Sequence, residues 1–172
     1  MAPLRISKYL CNKVGGREED GPYTEFPTGP YRLRQCDVDD LQEFARQVFG
    51  SQPFSQFIGA QLTSSGPRNA ELSIPIVDHL KQQHGFVHGG VISYLADNSI
   101  TFAGGLALGG NALTSEFKIN YLKPAVGSIL VARPQAKSVG KRQAVCQCEI
   151  YAVEDGEESL CAIAQGTVVS AQ

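Results

Sequence analysis

The chain has 172 residues, of which 42% are hydrophobic and 19% are charged, and its formal net charge is −2. These values are typical of one globular domain with a substantial core, and they exclude a largely disordered chain. Lysine and arginine form no sustained run, so we expect no nucleic-acid partner, because phosphate binding rests on clustered positive charge.

The five cysteines are odd in number and include no CxxC pair, which argues against a disulfide framework and against a tetrahedral zinc site. Cys146 and Cys148 alternate along a strand-like run, and we interpret them as small core residues. No apolar run reaches the length of a membrane span, and the first residues lack the apolar segment of a secretory signal. We therefore predict a cytoplasmic protein without a membrane partner. The N-terminus is basic and free of acid until Glu18, which leaves a weak organelle-targeting segment as the alternative.

Residues 1–50 are predicted to be an N-terminal extension with one amphipathic helix, and residues 51–172 are predicted to be the main domain. Residues 1–34 mix charges with glycine and proline, so we expect irregular structure there. A helix is predicted to begin at Asp37, which can cap free backbone N–H groups, and to end at Gly50 and Pro53. Its apolar side chains have the three-four spacing of a packed face: Val38, Leu41, Phe44, Ala45, Val48 and Phe49.

Residues 57–62 and 70–76 have the composition of two short strands, and turn residues between them, Ser64 to Pro67, predict a hairpin. Residues 91–103 are apolar on more than one face, which predicts a helix enclosed by other structure. Four β-rich runs follow a break at Gly109: residues 113–121, 128–138, 144–153 and 160–170. Their links are of hairpin length, so we predict an antiparallel meander. The fold class is then α+β, with one long helix against a curled sheet.

The candidate functional stretch extends from Gln82 to Gly104 and contains the sequence HGFVHGGVISYLADNS, which begins at His84. Gly89 and Gly90 precede the predicted helix. Glycine lets a ligand approach backbone N–H groups, and the positive end of the helix dipole lies behind them. Such donors suit a carbonyl oxygen that becomes an oxyanion. Close packing of the helix on the sheet is the alternative explanation of the glycine pair.

A row of polar side chains, Ser93, Asp97 and Thr101, follows one edge of this apolar helix at four-residue spacing. An ionised carboxylate is costly there unless it is paired or functional, so Asp97 is a candidate general base. The alternative is an aspartate that is only hydrogen-bonded to Ser93, Thr101 or a facing strand. His88 lies half a helical turn out of phase with Asp97, so the two side chains need not meet within one subunit.

Together with the segments SEFKINYLKPA and IAQGTVV, this stretch resembles the hotdog-fold acyl-CoA thioesterases of the phenylacetic-acid-degradation type. The resemblance covers roughly residues 57–169. It implies a long helix wrapped by an antiparallel sheet, and dimers that join their sheets and often pair into tetramers. It also implies hydrolysis of a CoA thioester without a metal or a separate cofactor. The implied partners are an acyl-CoA or aryl-CoA substrate and further copies of the chain.

The resemblance also implies roles for the glycine pair and the aspartate. The amide of Gly89 would polarise the thioester carbonyl, and Gly90 would lie beside it in the substrate site. Asp97 from the other subunit would act as base or as nucleophile.

Four further residues match positions with supporting roles in the same family. Gln82, where members carry Asn or Gln, would orient the water or the thioester. His88 would support the loop or the sulfur side of the thioester. Thr101 and Thr114 match positions where a hydroxyl group helps to place the water.

CoA also requires phosphate contacts, and Lys137, Lys141 and Arg142 around the Gly140 turn are the nearest basic cluster. An ordinary charged hairpin without a role in CoA binding explains these residues equally well. Two other functions remain open, a non-catalytic acyl-CoA-binding sensor and a hotdog hydratase or dehydratase. Asp97 favours the hydrolase, because a sensor gains nothing from an isolated acid in an apolar groove.

Overall fold

The structure is a computed structural model, which describes residues 23–24 and 33–171 and gives side chains from residue 39 onward. The elements in chain order are β1 (Tyr23–Thr24), β2 (Leu33–Arg34), α1 (Gln35–Gly50), α2 (Pro53–Phe57), β3 (Gln61–Gly66), β4 (Asn69–Pro75), a 3₁₀ turn (Asp78–Leu80), α3 (Gly89–Leu108), β5 (Ala112–Tyr121), β6 (Ile129–Val139), β7 (Gln143–Glu154) and β8 (Glu157–Ser170). None of the helices in the described part is long and apolar enough to span a membrane.

Strands β3 to β8 form one antiparallel sheet in the order β3-β4-β6-β7-β8-β5, and this sheet curls around α3. Side chains alternate along the long strands between a face buried against α3 and an exposed outer face. On β7 the buried residues are Ala144, Cys146, Cys148, Ile150 and Ala152. Leu95 and Ile100 of α3 are fully buried against this face. The arrangement is the α+β hotdog fold that the sequence predicted.

The central helix α3 is longer at both ends than the predicted range of residues 91–103. It ends at Gly109, whose φ of 76° is a left-handed conformation that glycine adopts without strain. Gly104 lies within the helix, and because it has no side chain it allows close contact between α3 and β8. A Cβ at Gly104 would lie 2.6 Å from the Cβ of Val168.

The predicted meander is wrong for β5. Strand β5 pairs with β8 at the edge of the sheet, whereas β6 lies between β4 and β7. The link at residues 122–128 crosses the ends of two strands, with Leu122 N–H bonded to the Cys161 carbonyl of β8 and Ser128 N–H bonded to the Val153 carbonyl of β7. Seven residues can extend about 23 Å, and three interstrand spacings require only about 14 Å. A link of hairpin length therefore also fits a crossover.

The predicted strand at residues 57–62 is wrong in its first part. Pro53 begins the short helix α2, because its fixed φ suits the first helical turn. The buried Ser55 holds α2 against α3 through a hydrogen bond of 2.6 Å between its hydroxyl and that of Tyr94. β3 and β4 form the predicted hairpin, but its turn lies at residues 67–68 instead of at Ser64 to Pro67.

Helix α1 packs its apolar face over the edge strand β3, as expected of a helix that shields an open part of the domain. Its buried side chains are Leu41, Ala45 and Phe49. The Phe49 ring meets the Phe102 ring of α3 edge-on, with 5.6 Å between the centroids. The Gln42 side-chain amide donates to the Ser65 carbonyl of β3 at 3.4 Å. α1 begins upstream of Asp37, and the side chain of this predicted cap lies outside the described part.

Candidate active site

The glycine pair lies at the N-terminus of α3, where His88 caps the helix. Nδ1 of His88 accepts a hydrogen bond from the Gly90 amide at 2.9 Å, and the His88 carbonyl accepts one from the Val91 amide at 2.9 Å. A ring nitrogen that accepts carries no proton. The Gly89 amide has no acceptor among the described residues. It is therefore left available to a ligand at the positive end of the helix.

Tyr121, the last residue of β5, contacts this glycine pair. Its hydroxyl donates to the Gly89 carbonyl at 3.1 Å and shares a 2.5 Å hydrogen bond with the Ser93 hydroxyl. Its ring lies 3.6 Å from the position that a Cβ at Gly89 would occupy. Tyr121 belongs to the segment SEFKINYLKPA that carries the resemblance, but its role was not predicted, because no local pattern reveals that the end of β5 lies beside the start of α3.

Gln82 and Gly89 line the same open cleft, which has a volume of about 300 Å³. The Gln82 side-chain oxygen accepts from the His84 amide at 3.1 Å, which holds the loop before the helix. The side-chain NH₂ group of Gln82 has no acceptor in the part of the chain that the structure describes, so it can donate to a bound molecule. The structure thus brings two of the predicted site residues together.

Asp97, Thr101 and Thr114 form a second group farther along α3. The Thr101 hydroxyl donates to the backbone oxygen of Asp97 at 2.9 Å and shares a 2.5 Å hydrogen bond with the Thr114 hydroxyl. Asp97 is half-buried, and its buried Oδ1 has no hydrogen-bond partner among the atoms that the structure describes. Ser93 bonds to Tyr121, and Thr101 bonds to the backbone oxygen of Asp97 and not to its carboxylate. The alternative explanation, an aspartate whose carboxylate is only hydrogen-bonded to its neighbours, is therefore not supported by the contacts of Oδ1.

The two groups do not meet within one chain. Asp97 lies eight residues beyond Gly89, about 12 Å along a helix. It is absent from the lining of the cleft that contains Gln82 and Gly89. We call these groups the loop half-site (Gln82, His88, Gly89, Gly90) and the acid half-site (Asp97, Thr101, Thr114).

The acid half-site follows the edge of the sheet. α3 and β5 run antiparallel, with Ser93 bonded to Tyr121 at one end and Thr101 bonded to Thr114 at the other. β5 is the last strand of the sheet on this side. Asp97 therefore lies beside an edge strand that pairs with β8 alone in the described structure.

The basic cluster predicted to bind CoA lies on the hairpin between β6 and β7. Its exposed members are Lys137, Lys141 and Arg142. The Arg142 carbonyl accepts from the Ser170 amide at 2.9 Å, and Ser170 pairs with Ala112 at the start of β5. The cleft lies beside Tyr121, at the other end of this 10-residue strand, about 30 Å away. Within one chain, the structure does not bring the cluster to the cleft.

Lys123 provides a positive charge on the cleft itself. It lines the cleft together with Gln82 and Gly89, and its side chain is exposed. Sequence reasoning missed it as a site residue, since a single lysine after a strand carries no signal of its own. Its placement depends on the crossover that follows β5.

The three cysteines whose side chains the structure describes lie in the core. Cys146, Cys148 and Cys161 are buried, which confirms the interpretation of the first two as core residues. Burial raises the pKa of the Cys146 thiol to about 11, so this thiol stays protonated at neutral pH and is a poor nucleophile. Among the side chains that the structure describes, from residue 39 onward, no group of three or more His, Cys, Asp or Glu could hold a metal ion.

Known proteins share both the sequence pattern and the fold. The sequence profile of the thioesterase superfamily matches residues 84–159, a span that contains the glycine pair and Asp97. The structure of a thioesterase family protein from Silicibacter pomeroyi is similar, with 33% identity, a TM-score of 0.66 and coverage of 73% of this chain and 93% of that protein. The Escherichia coli PaaI protein, from the phenylacetic acid degradation operon, shares the fold, with 22% identity, a TM-score of 0.68 and coverage of 77% and 96%. A curated protein of Saccharolobus solfataricus that is named as an esterase is 29% identical over 137 residues, which cover 77% of this chain and 84% of that protein.

Proposed function

The chain belongs to the thioesterase superfamily, and from that premise we propose that it hydrolyses an acyl-CoA or aryl-CoA thioester to the free acid and CoA. Superfamily membership and the esterase-named relative support hydrolase activity as the general class. The observation that carries the finer proposal is the buried Oδ1 of Asp97, which lacks a partner among the described residues. Such an atom lowers stability, so a bound water or substrate explains its place.

In this proposal the Gly89 amide binds the thioester carbonyl oxygen. The amide lies at the start of a 20-residue helix, so the helix dipole adds to the hydrogen bond. Negative charge develops on this oxygen as the tetrahedral intermediate forms. A fixed donor is then worth more to the transition state than to the ground state, and removal of one such donor typically costs about a hundredfold to a thousandfold in rate.

Asp97 completes the reaction in one of two ways. As general base it takes a proton from water, the resulting hydroxide adds to the carbonyl carbon, the C–S bond breaks and the CoA thiolate is protonated. As nucleophile its carboxylate adds to the carbonyl and expels the CoA thiolate, and water hydrolyses the mixed anhydride. A single turnover in ¹⁸O-labelled water tests the second route, because label in Asp97 arises only when water attacks the Asp97 carbonyl of the anhydride. The first route places label in the product acid alone, as does attack of water on the acyl carbonyl of the anhydride.

The other predicted residues have supporting roles in this mechanism. The free NH₂ group of Gln82 orients the water or the thioester. His88 holds the loop through its bond to Gly90, which occupies the Gly90 amide and leaves the Gly89 amide as the donor. The bonded hydroxyls of Thr101 and Thr114 lie beside Asp97, where they can place the water.

A dimer brings the half-sites together if the edge strands β5 of two copies pair antiparallel. Such pairing puts the Ala112 end of one β5 beside the Tyr121 end of the other. The acid half-site of one subunit then faces the loop half-site of its partner. The subunit that supplies the acid half-site also supplies the basic cluster, which approaches the CoA end of the site. We propose a homodimer with shared sites, which can pair further into a dimer of dimers.

Release of free thiol from a panel of acyl-CoA and aryl-CoA thioesters, measured with a thiol reagent, tests the proposed function. We expect turnover of at least one panel member in metal-free buffer. Binding of CoA thioesters without thiol release would instead indicate a sensor. Hydration of an enoyl-CoA without thiol release would indicate a hydratase.

A further inference from the structure

Tyr121 is a half-exposed residue at the mouth of the cleft, and its hydroxyl is committed to the backbone of the glycine pair. We propose that Tyr121 is a positioning residue that holds the Gly89–Gly90 peptide so that the Gly89 amide stays directed at the substrate carbonyl. This role rests on the proposed function, because it concerns the same reaction at the same site.

Two consecutive glycines need such support. Glycine populates more of φ/ψ space than any other residue, so a Gly–Gly segment does not by itself fix the direction of its N–H groups. A donor contributes most to catalysis when it is already oriented before the reaction. The surrounding contacts must therefore fix the backbone on both sides of the Gly89 α-carbon.

On the N-terminal side, the helix fixes the His88–Gly89 peptide. Its carbonyl accepts from the Val91 amide at 2.9 Å. In a planar trans peptide the C=O and N–H groups point in opposite directions. The Gly89 N–H therefore points away from the helix, towards the space that a ligand can enter.

On the C-terminal side, the Gly89–Gly90 peptide is held at both of its polar groups. Its carbonyl accepts from the Tyr121 hydroxyl at 3.1 Å, and its N–H donates to Nδ1 of His88 at 2.9 Å. Gly89 is the first residue of α3, so its carbonyl also takes part in the helical bond to the Ser93 N–H. Loss of the Tyr121 hydroxyl would leave this carbonyl with the helical bond alone. The backbone of Gly89 would then be less restricted, and the direction of its N–H would be less well defined.

Tyr121 is itself fixed by two neighbours. Its backbone lies opposite Ala162 in the register of β5 and β8. Since the phenol proton is donated to Gly89, the Ser93 hydroxyl must be the donor in the 2.5 Å bond between Ser93 and Tyr121. The chain of bonds runs from Ser93 to Tyr121 to Gly89, and such chains strengthen each member by polarisation.

The test is Tyr121→Phe, which removes the hydroxyl and keeps the ring. We expect kcat for a hydrolysed CoA thioester to fall about tenfold, less than for loss of the donor itself, with KM within about twofold of wild type. Ser93→Ala should also lower kcat, by a smaller factor than Tyr121→Phe. The matched control is Tyr151→Phe, whose hydroxyl bonds to Glu149 at 2.8 Å on the outer face of the sheet, and it should keep the kcat of wild type. A merely structural tyrosine would lower the melting temperature and leave kcat per folded site unchanged, which would overturn the proposal.

A second readout does not depend on activity. The chain has 18 glycines, so ¹⁵N-glycine labelling gives a sparse amide spectrum. Tyr121→Phe should shift the Gly89 and Gly90 resonances, and Tyr151→Phe should leave them in place. Unmoved resonances would overturn the positioning role even if the protein hydrolyses no thioester. If Tyr121→Phe does not fold, Ser93→Ala decides by the same two measurements.

Discussion

At Asp97, the contacts in the structure and the proposed chemistry together predict a large effect on catalysis and a small effect on stability. Its carboxylate is half-buried, and Oδ1 receives no hydrogen bond from the described part of the chain. Removal of the charge therefore breaks no described contact at Oδ1. Folding and catalysis can be separated at this position, since its stability role is small and its proposed catalytic role is large.

We predict that Asp97→Asn lowers kcat by at least about a hundredfold, as expected for loss of a general base or nucleophile, with a melting temperature close to that of wild type. Asp155→Asn is the matched control. It makes the same chemical change at an exposed turn where φ is 50°, a conformation that asparagine also adopts. Turnover and thermal denaturation are measured on all three proteins. Near-normal turnover in Asp97→Asn, or its failure to fold, would show that the catalytic assignment is wrong.

At the scale of elements, the approach of α3 to β8 depends on Gly104. A Cβ at this position would lie 2.6 Å from the Cβ of Val168 and 2.8 Å from both of its γ-carbons. The Val168 Cβ is bonded directly to the β8 backbone, so a rotamer change cannot move it away. The helix and the strand would have to separate.

We predict that Gly104→Ala destabilises the protein. Overpacking typically costs about 1–3 kcal/mol, and α3 and β8 must also separate. Together these costs exceed the gain of about 1 kcal/mol in helix propensity when glycine is replaced by alanine. The free energy of unfolding in urea is the measurement. Gly50→Ala is the control, because a Cβ there meets no atom within 4 Å, and it should be neutral or stabilising. Equal stability of Gly104→Ala and wild type would contradict the close contact.

The basic hairpin between β6 and β7 is the element whose role depends on a second subunit. We predict that reversal of Lys141 and Arg142 to glutamate raises KM for CoA thioesters several-fold and leaves kcat nearly unchanged, because a distant phosphate contact gives uniform binding. The effect should shrink as salt rises. Lys123→Glu on the cleft wall is the comparison. If it alone raises KM at low salt, the hairpin does not contact CoA.

Sequence patterns predicted those elements whose local chemistry is distinctive. The broad apolar surface of residues 91–103 predicted the core helix, and alternation predicted β7 with Cys146 and Cys148 inside. The partner of β5 could not be predicted, because a seven-residue link fits both a hairpin and a crossover. The short helix α2 was missed because its stability depends on the contact between Ser55 and Tyr94, which lie far apart in the sequence.

The residues of the candidate site likewise fall into those that local sequence patterns predicted and those that they did not. The glycine pair and Asp97 were found from the sequence, because glycines before a helix and an acid within an apolar helix are local anomalies. Tyr121 and Lys123 were not found, because only the packing of β5 beside α3 brings them to the cleft. The Oδ1 of Asp97 without a partner is likewise a property of the fold.

At the scale of the whole molecule, the two edges of the sheet differ. α1 covers the edge at β3, whereas β5 pairs on one side only in the described structure. Leu113 of β5 is 62% exposed, and Leu122 and Val126 beyond its end are 51% and 62% exposed. An uncovered edge strand with apolar neighbours is a template for pairing with another chain. We therefore expect β5 to be the dimer contact.

If each site is shared between two subunits, Gln82→Ala and Asp97→Ala chains, each nearly inactive alone, should complement each other when they are unfolded and refolded together. A mixed dimer has one site with both substitutions and one site with neither, so random pairing should restore about a quarter of wild-type activity. The control mixes wild type with the chain that carries both substitutions. Shared sites then leave activity only in wild-type homodimers, about a quarter of the total, whereas sites built within single chains leave about half. With mixing confirmed by a tag, absence of recovery in the first mixture and half activity in the second would refute the shared site.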